Sequence, residues 1–468
     1  MNNTFAAAVN APQEVQTTNG MKAYDKTGSA IVDLFFNIGA SRNNQPGIKT
    51  QFAKAYAEDK TLAARTLFWA RDVRGGAGER QTFRNLMLQL EKTDPRVLKD
   101  LLPLVPEYGR WDDLLIFETK EIKAVAYEIC ALGIRSGDGL CAKWMPRKGL
   151  QAAELRRTLN MSPKQYRKTL VAMSNTVEQK MCAQDWTAIE FGKLPSMAAK
   201  QYMKAFMKHT PDQYAAYKAA LVKGDAKINA GAIFPHDVIV GMKRGDVVVA
   251  QAQWDALPNY LGEGDNFILP MVDVSGSMCC AAGGGNTMCI DVALALGLYL
   301  ADKQKGAFAG MFLSFSESPE LLQLTGSLAQ KMEQMNRSKW GMNTDLTKAF
   351  TKVLDAAVRG GVPANEMPKY VLILSDMQFD QCASKDYNAI GMIRSKYEAA
   401  GYEMPGVVFW NLNAAYGNAP VTVNEKGVAL VSGFSPAIMT SVLGAEQLNP
   451  MDIVLATINS ERYASINV

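Results

Sequence analysis

The chain of 468 residues holds only two histidines, His209 beside a lysine-rich helix end and His236 in the loop FPHDV. Ser-His-Asp and Cys-His catalysis both need an imidazole base, so that scarcity argues against them, and both histidines read as structural. The seven cysteines, Cys130, Cys141, Cys182, Cys279, Cys280, Cys289 and Cys382, are odd in number, scattered, and show no CxxC spacing. A disulfide framework and a four-ligand zinc centre are both disfavoured; reduced thiols in a cytoplasmic compartment are expected. Long apolar runs are missing too. The longest, VALALGLYLA at 292–301, falls well short of the about 20 residues a bilayer demands and lies between Asp291 and Asp302, so it reads as a buried helix. The opening MNNTFAAAVNAPQEVQTTNG has neither a basic start nor an apolar core of signal-peptide length, and residues 1–28 are expected to form a disordered leader.

What is present is the composition of a folded protein with room for two or three domains, 48% hydrophobic and 21% charged. The net charge of +4 hides a division. Residues 1–260 carry 36 Lys and Arg against 26 Asp and Glu, a balance of +10, which leaves 14 against 20, or −6, for residues 261–468. A basic part favours a polyanion, and an acidic part with oxygen ligands favours a hard cation.

The two parts also differ in period. From about residue 29 to 221, apolar residues recur every three or four positions in TLAARTLFWARDV, QTFRNLMLQLEK, RWDDLLIF and EIKAVAYEICALGIRSG. These are amphipathic helices of roughly 10–15 residues, expected to stack as an all-α, HEAT-like helical-repeat region over 29–260. The glycine-rich VRGGAGERQTF between two of them lacks a GK[ST] ending and follows a helix, so it reads as a turn and not a phosphate loop. After about residue 261, strand-like runs (NFILPMVDVS, GAFAGMFLSFS, KYVLILSDM, PGVVFWNLN, GVALVSGFS) alternate with helical segments. That alternation implies right-handed βαβ units and a doubly wound α/β domain over 261–468, with ligands outside the carboxyl ends of the strands.

One such end is ILPMVDVSGSM, where Asp273, Ser275 and Ser277 place three oxygen-bearing side chains within five residues. Another is YVLILSDMQFD, in which Asp376 follows the apolar run. Two strand-end aspartates with hydroxyls between them suit Mg²⁺, which takes oxygen ligands and few carboxylates, and a helix opening near Asn286 would add a positive dipole. The same spacing is also that of a polar turn, and on spacing alone the two readings stand level.

DVSGSM resembles the DxSxS signature of von Willebrand factor A domains, whose metal-ion-dependent adhesion site is completed by a threonine on a second loop and an aspartate on a third. Thr344 in WGMNTDL and Asp376 in LSDMQFD stand in the matching order. The resemblance implies that Asp273, Ser275, Ser277, Thr344 and Asp376 surround Mg²⁺; Asp345 and Asp380 are given no role. From about residue 30 to 435, the segments WARDVRGGAGERQTFRNL, LVPEYGRWDDLL, KWMPRKG, LPSMAAKQYMKAF and VVFWNLN look like an uncharacterised family that joins a helical region to an A domain. Its architecture is similar to that of the TROVE proteins, which include Ro. In Ro-type proteins helical repeats close into a ring that binds structured non-coding RNA and the single-stranded ends of misfolded RNA. No RNA-contacting residue of Ro is matched one by one here.

The residues themselves offer two basic segments. In 143–168, Lys143, Arg147, Lys148, Arg156, Arg157, Lys164, Arg167 and Lys168 face a single acid, Glu154, and are interleaved with Trp144 and Tyr166; further on, Lys200, Lys204 and Lys208 recur at i, i+4. Cations on phosphates and aromatics on unpaired bases are how single strands are held, although solvated helical faces look the same. The expected function is a non-enzymatic, cytoplasmic RNA-binding protein, a ribonucleoprotein component whose A domain captures a protein partner's carboxylate through Mg²⁺. The alternatives are a metal-dependent protein scaffold without RNA and, less favoured for want of a base, a phosphodiester hydrolase.

Overall fold

The computed structural model describes residues 11–262, 267–283, 287–315, 319–337, 345–379, 389–415, 417–445 and 447–468. Residues 14–28, expected within a disordered leader, are packed. β1 (Glu14–Gln16) and β2 (Lys22–Tyr24) form an antiparallel hairpin, Tyr24 bridges to Ala419, and Thr17, Met21, Ala23 and Thr27 are buried. Two three-residue strands carry no readable period, and a partner some four hundred residues away supplies their burial.

Helices dominate from residue 30 to 255: α1 (Ala30–Ile38), α2 (Gln45–Glu58), α3 (Lys60–Arg71), α4 (Arg80–Thr93), α5 (Lys120–Arg135), α6 (Gly149–Thr158), α7 (Pro163–Ser174) and α8 (Ser196–His209) among them. Ser29, Asn44 and Asp59 each accept a hydrogen bond from an otherwise unpaired first-turn amide, which sets the starts of α1, α2 and α3. The glycine-rich segment is the turn between α3 and α4, where a Cβ on Gly76 would lie 1.8 Å from the Trp69 carbonyl oxygen. RWDDLLIF departs from its apparent period and makes a short 3₁₀ turn, Trp111–Leu115. An ionic network holds it: buried Asp113 accepts from Arg71 at 2.8 Å, from Arg84 at 2.6 Å and from the Arg110 amide at 2.9 Å.

The remaining chain builds a mixed sheet. β3 (Ile268–Asp273), β4 (Met311–Phe315), β6 (Tyr370–Ser375), β7 (Gly406–Asn411) and β8 (Val428–Ser432) run parallel, and the three-residue β5 (Leu321–Gln323) adds an antiparallel edge, in the order β5-β4-β3-β6-β7-β8. The five strand-like runs become the five parallel strands, buried on both faces as such runs must be. α9 (Cys289–Lys303), which contains VALALGLYLA, is buried along most of its length. Among the described residues no helix is long and apolar enough to cross a membrane. The chain steps from β3 outward to β4 and then returns to β6 on the other side of β3. That reversal opens a crevice between the carboxyl ends of β3 and β6.

Helices and sheet share one core, in which Phe35, Trp69 and Leu90 pack in the same apolar cluster as Met271, Leu372, Val431 and Ile458. A second, smaller cluster around Ile189, Phe191, Phe206 and Tyr214 stands apart. At the junction the Gly39 amide donates to Ser432 Oγ (3.1 Å) and the Ala414 amide to the Ala40 carbonyl (3.0 Å). The C-terminal segment returns to the helices, Tyr108 Oη donating to the Arg462 carbonyl (2.6 Å) and Tyr463 Oη to buried Asp72 (3.1 Å).

A Cβ on Gly39 would sit 2.8 Å from the backbone of Ser432 and Gly433. Gly39→Ala is therefore expected to lower stability in urea by about 1–3 kcal/mol, moving the midpoint with an unchanged m-value, because neither backbone can yield. An unaltered midpoint would mean that the helix-to-sheet approach is not tight.

Candidate metal centre and basic face

Parallel register sets Val272 opposite Leu374, so the ends of β3 and β6 lie side by side. Asp273 is fully buried there. Its Oδ1 accepts from the Ser275 amide at 2.9 Å and its Oδ2 from Ser375 Oγ at 2.6 Å. Ser275 Oγ and Ser277 Oγ are 3.0 Å apart, Ser277 hydrogen-bonds Asp376, and Asp376 Oδ1 accepts from the Gln378 amide at 3.3 Å. The structure thus brings Asp273, Ser275, Ser277 and Asp376 together. Thr344 and the spare Asp380 lie outside the described residues, as does Asn286; the helix expected near it, α9, begins at Cys289. Asp345 caps the next helix by accepting from the Lys348 amide at 3.1 Å.

Ser375 carries no motif of its own in the sequence, although it directly precedes the strand-end aspartate in LSD. It donates to Asp273 while accepting from the Met377 amide at 3.1 Å, which fixes the carboxylate's orientation. Met377 sits at φ +66°, in the left-handed region that side chains rarely adopt and that costs on the order of 1 kcal/mol or more.

Burial, and then the charge of Asp376, push the Asp273 carboxyl up to about 7; burial also raises Asp376, against the hydrogen bond from Ser277. Among the described residues no Lys, Arg or His forms an ion pair with either group. Two adjacent buried carboxylates without a counter-charge are unfavourable, and a proton or a cation has to offset them. The donors are all oxygen, which fits a hard divalent ion. Among the described residues no group of three or more His, Cys, Asp or Glu is placed to hold one, so hydroxyls and water would complete any shell.

The N-terminal segment grips the loops of this crevice, a feature no local pattern announces. Thr17 Oγ1 donates to the Phe379 carbonyl (2.6 Å), the Thr18 amide to Gln378 Oε1 (2.9 Å) and Asn19 Nδ2 to the Gln378 carbonyl (2.8 Å), all within the loop that leaves Asp376. On the other side Asn43 Nδ2 donates to the Ala281 carbonyl (2.6 Å), while Arg42 pairs with Glu79 and lies 4.1 Å over the Phe434 ring.

In the basic segments, Arg147, Lys148, Arg157, Lys164, Arg167, Lys168, Lys204 and Lys208 are exposed on α6, α7, α8 and the turn before them, and Lys143 and Arg156 are half-buried. Among the described residues none of these ten is in an ion pair, whereas Arg42, Lys60, Arg71, Arg84 and Arg110 each pair with an acid. Three of the residues in these segments are already engaged within the protein. Lys200 is nearly buried and pairs with Asp237 at 2.7 Å, because its end of the α8 stripe runs beneath the helix Pro235–Lys243. Tyr166 is core, its hydroxyl donating to the Pro146 carbonyl at 3.0 Å, and so offers no stacking face. One face of Trp144 already carries the Arg110 guanidinium at 3.7 Å.

Residues 17–116 and 132–263 match the family described as Domain of unknown function (DUF2828), and residues 268–464 match Domain of unknown function (DUF7788). "Uncharacterized protein L728" of Acanthamoeba polyphaga mimivirus is 31% identical over 501 residues, covering 94% of this chain and 86% of the relative. Among solved structures, the Deinococcus radiodurans Ro (RSR) protein overlays with a TM-score of 0.43 at 16% identity, covering 87% of this chain and 93% of its own. An overlay that loose carries neither fold nor function across.

With its folded-state value raised from 3.8 to about 7, Asp273 contributes stability that is complete below about pH 4 and is lost as pH rises through about 7. In EDTA, the urea midpoint of wild type should therefore fall between about pH 5 and pH 8 more than that of Asp273→Asn. His236, held by burial at about 4, acts in the opposite direction in both proteins and cancels in the comparison. Identical pH slopes would show that Asp273 is not a perturbed acid.

Proposed function

Starting from a chain that belongs to the family of mimivirus protein L728 and itself matches the DUF2828 and DUF7788 regions in turn, we propose that it is a non-enzymatic RNA-binding protein with a Mg²⁺-dependent partner site. RNA, structured or misfolded and non-coding, is held by the exposed basic face, and the strand-end crevice is an A-domain adhesion site. The observation that supports the RNA reading is the concentration of exposed cations on α6, α7 and their connecting turns, with Glu154 as the one acid between residues 143 and 168 and no ion pair to any of these cations among the described residues. Counterion release from such a face favours polyanions, and no groove-reading motif directs it to duplex DNA. With the paired Lys200 and the half-buried Lys143 and Arg156 set aside, Arg147, Lys148, Arg157, Lys164, Arg167, Lys168, Lys204 and Lys208 are the residues we assign to the phosphates.

In the crevice, Asp273, Ser275, Ser277 and Asp376 would hold Mg²⁺, with Thr344 as the further ligand that the A-domain resemblance implies. When bound, the ion supplies a coordination position open to an anionic oxygen. Ser375 orients Asp273 for that task, and the hairpin turn Thr17–Asn19 steadies the Asp376 loop. Buried carboxylates that repel one another favour a divalent ion over a lone proton as pH rises. A protein carboxylate fits the open position better than RNA phosphate does, since the sheet part of the chain is acidic and repels a polyanion as a whole. Two carboxylates without a Lys or Arg clamp among the described residues speak for binding over phosphoryl transfer. A cytoplasmic location accords with the reduced-thiol reading of the cysteines.

Calorimetry should find saturable Mg²⁺ or Mn²⁺ binding that releases about one proton near neutral pH and disappears in Asp273→Ala and Asp376→Ala, with the far-UV spectrum retained. Wild-type affinity in both variants would remove the site. Separately, neutralising Arg157, Arg167, Lys168 and Lys204 should lower the slope of log K against log salt by about 0.7 for each phosphate that the variant no longer neutralises on a single-stranded RNA. If wild type binds no RNA while its metal site is intact, the chain is a metal-dependent protein scaffold instead.

A further inference from the structure

Cys280 and Cys289 meet beside the crevice. Their sulfurs are 3.4 Å apart, the Cys289 amide donates to the Cys280 carbonyl at 3.0 Å, and the next residues, Ala281 and Met288, form an antiparallel bridge. Directly paired positions of that kind bring Cα atoms into the range a disulfide spans, and closing the sulfurs to about 2.05 Å asks only for side-chain rotation. The two are not equivalent. Cys280 is half-exposed and takes a hydrogen bond from Asn413 Nδ2 at 3.2 Å, whereas Cys289, the first residue of α9, is fully buried. Among the described residues the other buried cysteines, Cys130 and Cys141, lie inside the helical part of the core.

We propose that Cys280 and Cys289 are a peroxide-oxidisable pair, Cys280 the sulfur that reacts first and Cys289 the one that resolves it. The Cys280 sulfur attacks one oxygen of hydrogen peroxide; the O–O bond breaks, the leaving hydroxide takes up the Cys280 thiol proton as water, and Cys280 becomes the sulfenic acid. The Cys289 sulfur then attacks the Cys280 sulfur, the S–O bond breaks, and the hydroxyl departs as water with the Cys289 proton. Two thiols lose two electrons to one peroxide, which ends as two waters. The Asn413 amide steadies charge on Cys280 while it is the attacking group. The product ties the end of the Asp273–Cys280 loop to the first turn of α9, and a thiol reductant reverses it, as a reducing compartment requires of a non-structural disulfide.

The test uses the full-length reduced protein, treated with equimolar hydrogen peroxide, blocked with N-ethylmaleimide and cleaved with cyanogen bromide after Met278 and Met288. These cuts put Cys280 and Cys289 on separate fragments. The expected result is the two fragments joined, separable by dithiothreitol, and still joined in Cys279→Ser. Cys289→Ser should leave a dimedone-reactive sulfenic acid on Cys280, and Cys280→Ser should leave Cys289 as an alkylatable thiol. Fragments that stay apart with both cysteines alkylated, or a link made through Cys279 or Cys382 instead, would overturn the assignment. The readout is covalent and needs no bound metal or RNA, so it stands or falls apart from the proposed function.

Discussion

Two carboxylates buried side by side at the ends of adjacent parallel strands are the constraint around which the rest of this molecule is arranged. Asp273 and Asp376 are withdrawn from water and pushed toward their neutral forms, and among the described residues no cation answers them. Such a pair persists only where surrounding structure over-determines it. That support comes from Ser375 on the Asp273 carboxylate, Ser277 on Asp376, the left-handed Met377 in the turn, and the N-terminal hairpin bonded to the loop that follows. The reversal of strand order between β3 and β6 makes the space in which they meet.

The helical part is a working portion of that support. Its first helices pack into the core of the sheet, Gly39 touches the end of β8, and Asn43 reaches the segment that follows Ser277. The basic helices and the strand-end crevice therefore rest on one continuous apolar core, which also holds Leu155 of α6 and Leu170 of α7. The second apolar cluster, around Phe191, Phe206 and Tyr214, underlies α8 and keeps Lys204 and Lys208 outward while Lys200 turns toward Asp237.

The legible parts of the sequence were those with strong local signals. The five doubly buried runs became β3, β4, β6, β7 and β8, and Asp273, Ser275, Ser277 and Asp376 fell at their ends because strand-end oxygens need only a register to converge. Features set by distant partners were not legible. β1 and β2 are too short for a period, the edge strand Leu321–Gln323 is three residues, and WDDLL is shaped by Arg71 and Arg84, not by apolar spacing. The i, i+4 repeat correctly put Lys200 on the stripe with Lys204 and Lys208 but carried no information about Asp237, which lies on a later helix. Tyr166 failed for the same reason: an aromatic among cations reads as a stacking platform until the Pro146 carbonyl is found at its hydroxyl.

The central claim is that a divalent cation balances the buried carboxylates, and anomalous diffraction from crystals grown with Mn²⁺ tests it most directly. One strong anomalous peak is predicted within coordination distance of oxygens from Asp273, Ser275, Ser277 or Asp376, about 2.0–2.2 Å for an ion of this kind. A crevice without a peak, in which the two carboxyl groups hydrogen-bond each other through a shared proton at saturating Mn²⁺ and neutral pH, would contradict it.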